Sequence, residues 1–384
     1  MNAIITTIVV WLTVVILPVS VTVSVAVMPW IADRREVFGV TVPPTAHRDP
    51  GIRALKTTFS RTMAFLGLAA VLLPLASWHF LGETGAVSVA SVAAIVVVGL
   101  GFLMQQRCRR KASAIKTERG WSAEGDHRAV LVGEPDNPEP LGLAWELLHV
   151  VALGITVAVG LIGYDRMPAR VPMHMDLYGR VDGWADKSPA VIWFAVVAQL
   201  ILALVMAGGH AAIVHSKRPV DPDHPATTSY AYGAFARAWS VYTLVIGLVT
   251  AVAIGLGAQL LVIGVLQPVL FGPVALLVAM AAVLGALIIG LYYGQSGSRV
   301  FAHTMEDGEA GDDAVVGSVT MPYDDDRHWH AGVFYVNRDD PAIWVPKRFG
   351  VGWTCNLGRP IVWVGLALFM LVAIGAPVAF TMLL

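Results

Sequence analysis

Eight stretches of this chain stay apolar for roughly the 20 residues that an α-helix needs to cross a hydrocarbon layer about 30 Å thick, and nothing else in the sequence constrains the fold as much. Their cores run Ile4 to Trp30, Met63 to Phe80, Val87 to Leu103, Leu143 to Ile162, Val191 to Val214, Trp239 to Leu261, Val269 to Tyr292 and Ile361 to Met382. Gln259, Gln267 and Pro268 lie where the sixth stretch gives way to the seventh and fit a tight turn between two helices or a re-entrant segment. With 56% of 384 residues hydrophobic and 14% charged, a soluble globule would have far too much apolar surface to bury, so lipid must be the main solvent. The expected fold is an all-α polytopic membrane bundle of about eight transmembrane helices. A short extracytoplasmic hairpin loop and a small cytoplasmic β-hairpin segment complete it.

The first apolar run has no basic stretch ahead of it and exceeds a signal-peptide core of about 7–15 residues, so it reads as a retained helix. Orientation follows from Lys and Arg, which collect in cytoplasmic loops. Arg34, Arg35, Arg48, Arg53, Lys56 and Arg61 follow the first helix, and Arg107, Arg109, Arg110, Lys111, Lys116, Arg119 and Arg128 follow the third. The turn LGETG between them has no basic residue. Both termini are therefore expected outside the cytoplasm in a multi-pass cell-membrane protein. Alternation then places 163–189 outside, despite its four basic residues, and 294–360 inside. Three regions result: 1–142, with three helices and basic loops; 143–293, with four helices and the outside loop; and 294–384, with an acidic tether, an interfacial hairpin and the last helix.

Net charge is −1, which provides no basic field for nucleic acid. Cys108 and Cys355 have no partner at metal-ligand or redox spacing. The tether is the acidic run MEDGEAGDDA with the later YDDDR, apolar-poor and expected to be disordered. Beyond it, VFYVN and AIWVPKR are β-prone runs separated by RDDP, which suits a turn between paired strands. Trp344, Trp353 and Trp363 suit a membrane interface. The repeated Phe-Gly-Val at 38–40 and 349–351 suggests two similar extended segments on one side of the membrane.

Candidate chemistry falls in two places. In the outside loop, Pro172, Gly179 and Gly183 shape a hairpin that carries His174, Asp176, Asp182 and Lys187. His174 and Asp176 share a strand face and the turn brings Asp182 opposite. Such a set binds a polar ligand, a proton or, as the one cofactor to consider, a divalent cation; the competing reading is a turn that the Asp residues cap. Within the spans, Glu146 and His149 share a helix face, and Gln199 and His210 lie on the next helix. No charged ladder crosses the bilayer, and no catalytic set assembles.

The residues Pro168, Pro172, His174, Gly179, Asp182 and Lys187 resemble the signature of a bacterial domain of unknown function found in the sporulation-delaying-protein immunity (SdpI-like) family. A second segment resembles another domain of unknown function that accompanies it, through Asn337, Asp340, Pro341, Lys347, Arg348, Gly350, Trp353 and Asn356, with Arg338 where a Pro is common. The two motifs cover about a seventh of the chain. The resemblance implies a helical bundle and, from the best-understood relatives, immunity to a secreted peptide toxin coupled to binding of a cytoplasmic repressor. The expected function is thus to bind, sense or confer immunity to an extracellular peptide or lipid-linked ligand, with the bilayer, that peptide and a cytoplasmic regulator as partners. A transporter of a small or amphipathic substrate is the second expectation, and a membrane-embedded metal-dependent enzyme the third.

Overall fold

The structure is a computed structural model that describes residues 7, 9–123, 137–175, 180–221, 224–301 and 321–383. Six apolar helices are long enough to cross a membrane. They are α1 (Val9–Trp30), α2 (Pro50–Glu118), a span over Leu143–Arg166 that contains α3 (Leu147–Gly163), then α4 (Pro189–Val214), α5 (Pro225–Val262), and a span over Pro268–Phe301 that contains α6 (Pro268–Tyr293). The apolar α7 (Pro360–Leu383) follows. The chain is a multi-pass membrane protein built as a helical bundle.

α2 is two antiparallel arms. Gly82 adopts φ 67° and ψ −171°, a left-handed conformation that strains any side chain, and the helix reverses there without an intervening loop. The turn expected at LGETG is thus reduced to one residue. The far ends meet again at Asp49, whose Oδ1 accepts the Gly51 and Ile52 amides as an N-cap while its Oδ2 accepts from Arg119 Nε at 3.0 Å. α1 packs into this hairpin, where Gly67 leaves room for Thr22, and Gly101 for Val25 and Met63. A second group, α3 to α5, packs as neighbours, and α5 ends at a turn through Gly264 before Pro268 opens α6.

The described parts of the connections at one end of the bundle condense into a cap. Its strands are β1 (Glu36–Val37) with β2 (Val40–Thr41), β5 (Trp329–His330) with β6 (Phe334–Tyr335), and β7 (Trp344–Pro346) with β8 (Trp353–Cys355), each pair antiparallel. The strands expected to pair with each other across RDDP pair elsewhere, VFYVN with Trp329–His330 and AIWVPKR with Trp353–Cys355. The reason is Asn356: its side-chain amide donates to the carbonyls of Asn337, Asp340 and Ala342, and its oxygen accepts from the Asn337 and Gly358 amides. One buried side chain takes up the hydrogen bonds that an RDDP hairpin would have formed. The repeated Phe-Gly-Val segments meet face to face, with the Phe38 and Phe349 rings stacked at 6.0 Å and Phe59 edge-on to Phe349. Gly39 and Gly332, both at positive φ, sit back to back, and a Cβ on Gly39 would fall 2.5 Å from the Gly332 oxygen.

The YDDDR segment is not part of a tether: it is the acidic centre of the cap. Met305 to Ala314 lies outside the described residues. Arg348 is 1% exposed and its guanidinium meets Glu36 at 3.2 Å, with Asp325 and Asp326 also in direct contact. Lys116 reaches Asp324 at 2.6 Å and Asp326 at 2.7 Å. Thr41 donates to Asp326 through both amide and hydroxyl. Burial alone would raise the Asp326 carboxyl, but Arg348, Lys116 and the Thr41 amide bring it down to about 2. Arg35 and Asp221 close the cap from the side at 2.7 Å, and Lys217 reaches Asp340 at 2.7 Å.

Candidate functional site

The opposite end of the bundle carries the hairpin of β3 (Arg170–Met175) and β4 (Val181–Asp186), which joins α3 to α4. Alternation along β3 turns Val171 inward, and it is fully buried with Met167, Val191, Ile192, Val262 and Ile263. The hairpin is thereby fixed to three helices. Its outer face presents His174, 73% exposed, whose Nδ1 lies 2.5 Å from Oδ1 of Asp182, 51% exposed. His174 stands opposite Gly183, where a Cβ would come within 2.8 Å of the His174 Cβ, so the glycine gives the imidazole the space it needs to lean on Asp182. The register shifts on either side of His174, which re-aims its side chain relative to Pro172, opposite Trp184.

Of the residues expected to share this site, the structure joins His174 and Asp182. Lys187 lies at the base of the hairpin, its ammonium 4.8 Å from the Tyr164 ring centre and 3.4 Å from the Asp165 carbonyl. Asp176 and Gly179 lie outside the described residues. Among the described residues no three histidine, cysteine or carboxylate side chains are disposed to hold a metal ion. An imidazole that donates Nδ1–H to a carboxylate presents Nε2 outward, as an acceptor in the neutral ring and as a donor in the imidazolium, beside the carboxylate oxygen that still accepts, a small polar recognition element.

The intramembrane candidates also converge. Glu146, in the turn that leads into α3, meets His210 of α4 at 2.6 Å through one oxygen and lies 3.4 Å from His149 through the other. Gln199 of α4 is seated on α5 at Gly255, where a Cβ would come within 2.3 Å of its amide oxygen. One turn further along α5, Gln259 occupies the equivalent place against Gly160. Both amides are fully buried, with no hydrogen-bond partner among the described residues. In the sequence Gln259 marks a turn or re-entrant segment near Pro268. A period-four run of small residues ending in Gln, Gly247, Ala251, Gly255 and Gln259, is the signal that could have marked this face.

The motif residues of the cap are structural in what they touch. The Asn356 side chain donates to the Asn337 carbonyl and accepts from the Asn337 amide; Asp340 accepts from Lys217, the Tyr335 hydroxyl and the Ala342 amide, and lies next to Pro341. The Lys347 and Gly352 carbonyls both accept from Gln295, a buried side chain that sequence reasoning missed. Gly350 takes φ 89°, and the partly buried Trp353 indole donates to the Tyr232 hydroxyl and packs on Phe235 and Trp239. Beside them a small cleft, with a volume of about 40 Å³, is lined by Arg34, Arg35, Asp221, Ser296, Phe301 and Tyr323.

The protein is thus a polytopic helical bundle with an ion-paired cap at one end and an exposed His–Asp hairpin at the other. Two family matches fall on these features: a domain of unknown function (DUF1648) over residues 151–200, which includes the hairpin, and a family of unknown function (DUF5808) over residues 338–363, in the cap and the start of α7. Comparison with curated proteins and with solved structures finds no match.

Proposed function

We propose that this chain is an envelope receptor or immunity protein of the SdpI-like kind, which binds an extracellular peptide or lipid-linked ligand at the hairpin and presents the cap to the cytoplasm. The observation that carries the reading is the His174–Asp182 pair. Both side chains face solvent, yet the strand beneath them is clamped through Val171 into three helices. A pair needed only to stabilise a turn would contribute little when so exposed. The orientation rests on the basic residues gathered at the cap end, with both termini at the other side. The cleft at Arg34, Arg35 and Tyr323 is the surface we assign to a cytoplasmic regulator.

The test is a double-mutant cycle on nanodisc-embedded protein, reading the binding of secreted peptide fractions. If His174 and Asp182 serve one site, His174→Ala and Asp182→Ala each abolish the same interaction, and the double variant loses little more than either. Full binding by the double variant at normal abundance would move the function away from the hairpin. Transport of a small substrate is the second reading, favoured by the buried, unpartnered amides of Gln199 and Gln259.

A further inference from the structure

His210 has no exposed surface, and both of its ring nitrogens face oxygen. Nε2 lies 2.8 Å from the Leu141 carbonyl, and Nδ1 lies 2.6 Å from Oε1 of Glu146. A carbonyl only accepts, so the first contact uses the Nε2 proton. A neutral imidazole has one N–H, which leaves Nδ1 as a lone pair. That lone pair facing a carboxylate would set two acceptors against each other at hydrogen-bond distance. The contact therefore contains an additional proton, held as imidazolium and carboxylate or as neutral imidazole and carboxylic acid.

The surroundings do not supply another way to neutralise Glu146. Its second oxygen faces Nε2 of His149 at 3.4 Å without hydrogen-bond alignment, and neither nitrogen of that buried ring has a hydrogen-bond partner among the described residues. The two imidazoles approach different oxygens of the one carboxylate. α5 offers Gly247 opposite His149, and Ser240, whose hydroxyl accepts from the Leu141 amide and donates to the Arg237 carbonyl. The Arg237 guanidinium points away to the Glu139 carbonyl at 3.2 Å. α7, packed on α4, has no titratable residue anywhere along Pro360–Leu383. Among the described residues, Glu146 forms ion pairs with the two histidines and with no lysine or arginine.

We propose that Glu146, His149 and His210 form an intramembrane proton-binding site. The proton resides in the Glu146–His210 contact, and His149 at the other carboxylate oxygen is a second base that can take it up. Glu146, 14% exposed, opens the site to the cap end of the bundle. The site is separate from the hairpin and does not depend on the function proposed for it.

Glu146→Gln tests this cleanly, because a glutamine amide can donate to the His210 Nδ1 lone pair and keep the packing while removing the titratable carboxyl. Wild type and variant, with 15N-labelled histidine, are compared in nanodiscs at pH 7.5 by infrared and solid-state NMR spectroscopy. The wild type is expected to show either a carboxylic acid C=O band or an imidazolium nitrogen pair, and Glu146→Gln to lack it. A wild type with neither signal overturns the proposal, as does a signal that persists unchanged in the variant. The wild-type spectrum alone decides the matter if the variant does not fold.

Discussion

Replacing Arg348 by Met leaves Glu36, Asp325 and Asp326 facing a thioether, and removal of one partner from a buried ion pair costs about 3–5 kcal/mol. The structure gives a check on that figure. Asp326 is lowered from 3.8 to about 2, and at ~1.36 kcal/mol per pH unit the depression corresponds to roughly 2–3 kcal/mol, shared between Arg348, Lys116 and the Thr41 amide. Burial pushes Glu36 well above the ordinary carboxylate range despite Arg348, so Glu36 does not add to that depression, and about 2–3 kcal/mol is expected for the cap. With a urea dependence of about 1–3 kcal/mol per molar, the midpoint for cap unfolding should fall by ~1–3 M. The Trp329 ring lies 5.0 Å from the Arg348 guanidinium and reports the transition by its emission. The sign with pH is fixed: a carboxyl held low in the folded state contributes stability that is complete above about pH 4 and is lost as pH falls toward about 2. The Arg348→Met defect should therefore be full at pH 7 and fade near pH 2. Arg348→Lys should fall between, since an ammonium cannot bridge three carboxylates in a plane. An unchanged midpoint in Arg348→Met, or a defect that does not depend on acid, would refute the electrostatic account of the cap.

His47 gives a second acid response. Burial, then Lys56 and Arg34, lower it from 6.5 to about 3, so the folded state stays unprotonated while the unfolded chain gains a proton, and stability should fall as pH drops from about 6.5 to 3; His47→Asn should flatten that slope in a urea titration series. Asn356→Ala strands the carbonyls of Asn337, Asp340 and Ala342, and trypsin should then cut at Arg338 several-fold faster at an expected cost of about 2–4 kcal/mol; equal digestion would show that other groups hold the turn. Gln199→Leu replaces a buried amide without a partner by an apolar side chain of similar size, so thermal stability should rise by about 1–2 kcal/mol; a fall would mean that the amide has a partner in the membrane, such as water.

The spans were legible because a membrane helix is a local object: 20 apolar residues satisfy their own backbone in lipid. The hairpin was legible for a related reason, since Pro172, Gly183 and the alternation around Val171 act within a few residues of one another. The cap was not. Arg348 finds Glu36 more than three hundred positions away, and Lys116 finds Asp326 more than two hundred away, so each charge taken alone looks like a positive-inside anchor or a solvated tether. Only when the helices align their ends do these charges become one another's counter-ions. Glu146, His149 and His210 were each visible as costly intramembrane groups, but that Glu146 bridges both histidines depends on the way α3 packs on α4.

The long separations within the cap have a consequence in time. A ribosome adding ~5–20 residues per second takes roughly 10–50 s to pass from Lys116 to Arg348. Throughout that interval Lys116 has not met Asp324 or Asp326, and Glu36 has not met Arg348. Lys116 is thus without these partners while the first helices are being inserted, when an uncompensated charge steers orientation most effectively. The acidic segment that neutralises Lys116 is synthesised only after the first seven of the eight apolar stretches. Its late arrival turns a sorting signal into a structural joint, and moving Asp324 to Asp326 upstream of α3 should scramble insertion even if the finished contacts were preserved.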